Sequence, residues 1–212
     1  MKIRKISAYQ ADLPLAEGPY NWSGRNTVTV FDSTIVRIDT DEGLSGFGEV
    51  CPLGPAYLPA YAAGARTGIA AIGPALLGLD PRALGPLNDV MDAALKGHPY
   101  AKSPLDVACW DIFGQAAGLP LCEMLGGRHG DDFVLYRAIS QESPERMAEL
   151  VSMHREAGYT RFQLKVGSDT AADIRRIEQA AGLLGDGERL VADANTGWLP
   201  HDALRVVRAV RD

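Results

Sequence analysis

The sequence predicts two successive architectures: an α+β region, made of an antiparallel meander followed by helices, and then three β/α units of parallel sheet. Three observations predict this. Strand-like runs at 1–13, 28–40 and 44–49 come first, the last two joined by the tight turn Asp41-Glu42-Gly43. Helical periodicity then dominates from Ala62 to Leu125. After Gly130 short apolar strands alternate with helices, a pattern that implies parallel strands joined by right-handed crossovers. The division falls near residue 130, giving domains 1–130 and 131–212.

Composition excludes several function classes. The chain has 212 residues, 46% hydrophobic and 23% charged, as in a soluble globular protein of one or two domains. No apolar run approaches the ~20 residues needed to span a bilayer, and the first turns of the chain hold no signal-peptide core. A cytoplasmic protein with no membrane partner is therefore expected. A net charge of −6, without a Lys/Arg cluster, argues against a nucleic-acid partner. Cys51, Cys109 and Cys122 lie far apart with no metal-type spacing, so free thiols are expected. His98, His129, His154 and His201 form no pair at ligand spacing and are given structural or surface roles.

Taken in order, Met1 to Leu13 is a strand, and Pro14 to Asn26 is a loop rich in Gly, Pro, Ser and Asn. Val28 to Thr40, with the β-branched centre Thr34-Ile35-Val36-Arg37-Ile38, and Leu44 to Glu49 complete the meander. Cys51 to Tyr61 is a second Pro/Gly-rich loop. An alanine-rich helix from Ala62 to Leu77 is expected to break near Gly73-Pro74. A second helix spans Pro81 to Leu95. Ser103-Pro104 has the form of an N-cap followed by a first-turn proline, and starts a third helix that ends at Gly118-Leu119-Pro120. A short helix covers Leu121 to Leu125.

In the second region, Phe133 to Ile139 is a strand. Ser143-Pro144-Glu145 caps a helix reaching Ala157, with Met147, Leu150, Val151 and His154 inward. Thr160 to Val166 is a strand whose Phe162, Leu164 and Val166 alternate with Arg161, Gln163 and Lys165. The next helix, Thr170 to Leu184, carries Ile174, Ile177 and Ala181. Leu190 to Ala194 and Pro200 to Val210 form the last unit. An eight-fold barrel takes roughly 250 residues, so three units cannot close one, and the third strand keeps an open edge. Lys165 stands at the C-terminal end of its strand, where parallel barrels place their chemistry, and Asp193 and Asn195 stand at the end of the next. The alternative for Lys165 is a solvated lysine on an amphipathic strand.

These residues resemble a family. The helix Pro-Leu-Asp-Val-Ala-Cys-Trp-Asp-Ile-Phe-Gly-Gln-Ala-Ala-Gly-Leu-Pro (104 to 120), the Met124-Leu125-Gly126-Gly127 segment, a strand ending in lysine and a strand ending Asp-x-Asn are together similar to the enolase superfamily. The nearest branch is that of mandelate racemase and muconate lactonizing enzyme, and the chain resembles the N-terminal half of a typical member. The resemblance implies a capping domain followed by the first three β/α units of a TIM-type barrel. Within the branch, loops 54–57 and 97–103 resemble members acting on hydroxyproline or proline betaines, namely 2-epimerases and a cis-3-hydroxyproline dehydratase.

The resemblance implies a magnesium-dependent reaction on a small carboxylate substrate, with racemisation, epimerisation or dehydration as the outcome. Lys165 matches the base that removes the proton α to the carboxylate, Asp193 the first of three metal carboxylates, and Asn195 its supporting residue. Such a lysine needs a pKa well below ~10.4. Many relatives carry Lys-x-Lys on this strand; Gln163 replaces the first lysine here, which disfavours the muconate and dipeptide reactions. Substrate contacts are assigned to Gln163 and to the two loops that the resemblance places over the barrel mouth, through Trp22 and Tyr57. An aromatic face there can take a ring ammonium, a contact worth about 0.5–2 kcal/mol. The alternative, favoured for Trp22, is that each ring packs its own loop. Trp110 and Asp111 are read as structural, with the aspartate holding helix to loop, Lys102 as a surface residue and Trp198 as packing at the rim. The second and third metal ligands and the opposing acid/base are expected beyond residue 212. The chain alone is therefore expected to be inactive, with activity and homo-oligomerisation belonging to a full-length parent. The alternative is a non-catalytic fragment or assembly module of the same fold.

Overall fold

The structure is a computed structural model that describes residues 1–211. In chain order its elements are β1 (Ile3–Pro14), β2 (Tyr20–Trp22), β3 (Asn26–Val28), β4 (Val30–Thr40), β5 (Ser45–Val50), α1 (Ala62–Leu76), α2 (Leu84–Ala94), α3 (Pro99–Ala117), α4 (Leu121–Met124), β6 (Arg137–Ile139), α5 (Pro144–Glu156), β7 (Arg161–Lys165), α6 (Thr170–Ala181), β8 (Arg189–Asp193) and α7 (Pro200–Ala209). They form two compact units: Met1–Pro14 with Val30–Asp131, and Leu15–Thr29 with the chain from Asp132 onward.

In the first unit the antiparallel sheet has the order β1-β4-β5. Its β4 face contributes Val36 and Ile38 to a core completed by Ile69, Ile72 and Leu76 of α1, Leu87 and Met91 of α2, and Leu105, Ala108 and Ile112 of α3. Apart from the small Ala108, each of these side chains contributes about 1.5–3 kcal/mol by leaving water. Strand β5 lies so close to α3 that only glycine fits. A Cβ on Gly48 would stand 2.0 Å from the Pro104 carbonyl oxygen, and one on Gly46 2.2 Å from that of Ala108. Asp111 is structural as expected, but it joins helix to strand rather than to a loop, accepting the Phe47 N–H of β5 at 2.9 Å.

Three expectations for this unit are corrected. Helix α1 is continuous through Gly73 and Pro74, because Pro74 falls in its last turn and Ile72 and Leu76 on either side are anchored in the core. Helix α3 begins at Pro99 rather than Pro104: Pro99 supplies the same first-turn signal, and burial of Ala101, Lys102 and Leu105 carries the helix past the hydrogen bond that Pro104 cannot make. Lys102 is therefore not a surface residue. It is 9% exposed, and its Nζ reaches Asp92 Oδ1 on α2 at 2.5 Å.

In the second unit β6, β7 and β8 pair in parallel, in that order. Helices α5 and α6 cover one face, where Ile139, Met147, Val151, Phe162, Leu164, Val166 and Ala180 form the core. Ser143 caps α5, its Oγ accepting the Arg146 N–H. The strand predicted from Phe133 shrinks to Arg137–Ile139, since Phe133 to Tyr136, although strand-like in composition, pair with no strand and are exposed. The inward stripe of α6 runs through Thr170, Asp173 and Ala180, with Ile177 partly buried; Ala181 faces out. The expected loop at 14–26 contains structure as well. Strands β2 and β3 form a hairpin (Tyr20↔Val28, Trp22↔Asn26) around a turn in which Gly24 and Arg25 have φ of 72° and 61°.

Candidate active site

Alternation along β7 turns Phe162 and Leu164 to the helices and Gln163 and Lys165 to the other face. Parallel pairing sets Gln163 beside Val191 and Lys165 beside Asp193. The sheet register thus brings two charged groups together at adjacent strand ends. Lys165 Nζ lies 2.6 Å from Asp193 Oδ2, and Gln163 Nε2 donates to the same oxygen at 3.1 Å. Asp193 Oδ1 accepts the Asn195 backbone N–H at 2.9 Å. The turn that delivers this N–H is strained, with Asn195 and Thr196 at φ of 44° and 64°. For a β-branched residue that conformation is rare and costs on the order of 1–3 kcal/mol.

The charges hold one another. Burial pulls the Lys165 ammonium down, but its hydrogen bond to Asp193 and the neighbouring Tyr20 hydroxyl outweigh this and leave it above its ordinary value. Burial pushes Asp193 up, and the hydrogen bonds from Lys165 and the Asn195 N–H outweigh that, leaving it below the ordinary carboxylate range. In this arrangement Lys165 is an ammonium, whereas a base needs the free amine.

The β2–β3 hairpin is fastened to the ends of these strands. The Asn21 N–H donates to Ser140 Oγ at 2.7 Å, and the Gln141 N–H donates back to the Asn21 carbonyl at 2.9 Å. Ser23 Oγ donates to the Asn195 carbonyl at 3.1 Å. Ser23 also explains the glycine after the lysine. Gly167 has φ of +97°, and a Cβ there would stand 2.3 Å from the Ala194 carbonyl oxygen and 2.7 Å from Ser23 Cβ.

Of the sequence-predicted residues, Lys165, Asp193, Gln163 and Asn195 converge. Trp22 is 5% exposed and its ring centroid lies 6.0 Å from that of Tyr20, so it packs within the hairpin. Tyr57 is exposed in the loop between β5 and α1 of the other unit. Two residues were missed. Tyr20 places its ring centroid 6.0 Å from Lys165 Nζ; its alternation with Trp22 through Asn21 is a weak strand signal that the Gly/Pro/Ser surroundings hid. Asp173 is wholly buried: Oδ2 accepts the N–H groups of Gly167 (3.0 Å) and Ser168 (2.8 Å) and the Trp198 indole Nε1–H (2.9 Å), while Oδ1 meets Arg176 Nη1 at 2.7 Å. Its signal was an aspartate on the α6 stripe one turn after the Asp169 cap.

Comparison with known proteins fits this frame. Residues 6–126 match the family model for the mandelate racemase / muconate lactonizing enzyme N-terminal domain. Residues 146–212 match that for the enolase C-terminal domain-like family. The chain belongs to the mandelate racemase / muconate lactonizing enzyme family. It is 58% identical over 210 residues to the cis-3-hydroxy-L-proline dehydratase of Roseibium aggregatum, covering 99% of this chain and 57% of that protein. A member of the enolase superfamily from Roseovarius nubinhibens, crystallised with magnesium, superposes with a TM-score of 0.89 at 47% identity, over 99% of this chain and 57% of that one. The dipeptide epimerase of Enterococcus faecalis, crystallised with magnesium and L-Leu-L-Tyr, gives 0.93 at 32% identity, over 100% and 59%. The chain thus spans a little over half the length of the relatives it matches.

Asp193 offers the hard oxygen that magnesium prefers, at a strand end and oriented by Asn195. Among the described residues no group of three or more His, Cys, Asp or Glu side chains could hold a metal ion. Among those residues, too, no helix is long and apolar enough to cross a membrane.

Proposed function

We propose that this chain contributes to a magnesium-dependent enzyme that removes the proton α to a carboxylate, and that the full-length protein dehydrates or epimerises a proline-type amino acid or betaine. The observation carrying the reading is the 2.6 Å approach of Lys165 Nζ to Asp193 Oδ2 at the ends of adjacent parallel strands. The 58% identity to a cis-3-hydroxy-L-proline dehydratase favours dehydration of a hydroxyproline over epimerisation. Residues 1–130 act as the capping domain and 131–212 as the opening β/α units of a TIM-type barrel; the family matches at 6–126 and 146–212 support that division.

Lys165, as the free amine, accepts the α-proton on Nζ while the C–H electron pair moves toward the substrate carboxylate. In dehydration that pair then expels the β-hydroxyl, which takes a proton from the acid/base assigned below and leaves as water; in epimerisation the carbon is reprotonated from the opposite face. Asp193, with Asn195 steadying one oxygen, is assigned as the first ligand of magnesium, whose charge would neutralise the substrate carboxylate and compete with Lys165 for Asp193. Further ligands and the second acid/base are assigned to the part of the relatives' length that this chain does not span. Gln163, which already donates to Asp193, steadies the carboxylate and borders the substrate. Tyr57 is assigned to substrate binding on the character of its loop, whereas Trp22 packs within the hairpin. The full-length protein is proposed to be a cytoplasmic homo-oligomer.

The test is α-proton exchange of cis-3-hydroxy-L-proline and of proline betaine in D2O, with the full-length protein and Mg2+. Exchange is expected for the wild type and is expected to vanish in Lys165→Ala and in Asp193→Ala. Retained exchange in either variant refutes the role given to that residue. Absence of both α-proton exchange and loss of water from cis-3-hydroxy-L-proline in the wild type refutes the reading as a whole.

A further inference from the structure

Asp173 is an expensive residue to keep. A carboxylate with no exposure needs every donor it has, and an apolar side chain would fill the space at lower cost. It does not cap its own helix, since the Asp169 carboxylate already accepts the Ala172 N–H at 2.8 Å. Three of its four donors come from outside α6, and all three lie in loops that leave the parallel strands. Gly167 and Ser168 follow β7, two and three residues after Lys165. Trp198 follows β8, five residues after Asp193. The fourth donor, Arg176, extends the reach to the remaining strand: its Nε donates to the Glu142 carbonyl after β6 at 2.8 Å, and its Nη1 to Ser168 Oγ at 2.9 Å. One carboxylate and one guanidinium therefore tie together the three loops at the C-terminal ends of β6, β7 and β8. One tied point is Gly167 itself, which tolerates no side chain; just before the other, Trp198, runs the strained Asn195-Thr196 turn that delivers the N–H to Asp193.

We propose that Asp173, with Arg176 and Trp198, is a positioning device that fixes the Lys165–Asp193 geometry by locking these three loops in register. The inference rests on the function proposed above for its consequence, but not for its physical test. Fixing reacting groups to within a fraction of an ångström is worth far more in turnover than in stability, and a 1 Å displacement can cost about 10²-fold.

The experiment compares Trp198→Phe, Asp173→Asn and a control, Val151→Ala, in the full-length protein. Trp198→Phe removes one donor and keeps the ring. Val151 lies on α5, is buried in the same core and donates no hydrogen bond to Asp173. The first readout is amide hydrogen exchange at Gly167 and Ser168, together with the acetylation rate of Lys165 by acetic anhydride, followed by mass spectrometry. The second is the kcat and KM of α-proton exchange with cis-3-hydroxy-L-proline. Trp198→Phe is expected to lower kcat about tenfold and Asp173→Asn about a hundredfold, with KM within about twofold. Both are expected to speed the exchange of the two amides at least tenfold and to change the acetylation rate of Lys165. Val151→Ala is expected to lower Tm and leave all of these per folded molecule. Unchanged amide exchange in both clasp variants overturns the proposal, as does an equal loss of kcat in the control. Should Asp173→Asn not fold, Trp198→Phe decides alone. If the wild type shows neither α-proton exchange nor loss of water, the proposed reaction fails, while the amide and acetylation readouts still decide whether Asp173 positions the loops.

Discussion

In the unit formed by residues 1–14 and 30–131, strand meets helix backbone to backbone, with Gly46 and Gly48 pressed on the carbonyls of α3. In the unit built from 15–29 and the chain after Asp132, one face of the sheet is equally apolar, but its strand ends meet the surrounding loops through charges and N–H groups. The difference teaches where each unit stores its free energy. The first depends on shape and has no slack for an added atom. The second divides its work: stability lies in the Phe162–Leu164 side of β7, and order without much stability lies in the Gln163–Lys165 side.

The contrast can be broken by substitution. Gly48→Ala is expected to have the largest effect, about 3 kcal/mol or more, because the new methyl would need to displace the Pro104 carbonyl. Denaturant unfolding followed by hydrogen exchange in β5 and α3 would check it, and a loss under about 1 kcal/mol would show that the first unit does have slack. Leu164→Ala, at a wholly buried position of β7, is expected to cost about 2–5 kcal/mol in the second unit and to leave β5 exchange unchanged. Gln163→Leu, one residue away on the polar face, is expected to change stability by less than about 1 kcal/mol, measured by the same unfolding curve, although it removes a hydrogen bond to Asp193. A cost comparable to that of Leu164→Ala would show that the two sides of β7 do not divide the work.

A smaller effect concerns pH. His154 is 9% exposed and accepts a hydrogen bond from Arg137 Nε at 3.1 Å, while Glu17 pairs with Arg137 and Tyr159 stands edge-on to the imidazole. Burial, aided by the Arg137 charge, holds its pKa below the ordinary 6.5. The folded state therefore favours the neutral ring, so this contribution is complete above about pH 6.5 and is lost as pH falls through 6.5 toward the lower folded value. Thermal unfolding between pH 7 and 5 is expected to show this fall in the wild type and a shallower one in His154→Gln. The smallest effect is expected for Arg146→Ala, which breaks an exposed pair with Glu149 and should move stability by about 0.5 kcal/mol or less.

Much of this was legible in the chain. The alternation of β7 and the polar strand ends at Lys165 and Asp193 were readable, because a two-residue period and a strand end are local properties. The Ser143 cap was legible for the same reason. The errors share one cause. Ser103-Pro104 carried a valid helix-start signal, but core burial of Ala101 and Leu105 overruled it. Phe133 to Tyr136 had strand composition and found no partner strand. Residues 20–28 had loop composition and nevertheless paired, because the strand ends offered Ser140 and the Asn195 carbonyl as anchors.

The sequence by itself determined that Lys165 and Asp193 stand at strand ends, the order of the longer strands and the helices, and the faces of β7, since these follow from side-chain identity and local periodicity. Only the tertiary structure decided that Lys165 and Asp193 lie 2.6 Å apart, that Tyr20 joins them, and that a buried Asp173 ties their loops. Those depend on sheet register and on contacts between residues up to some 170 positions apart, such as Ser23 with Asn195, and no short window of sequence contains both partners.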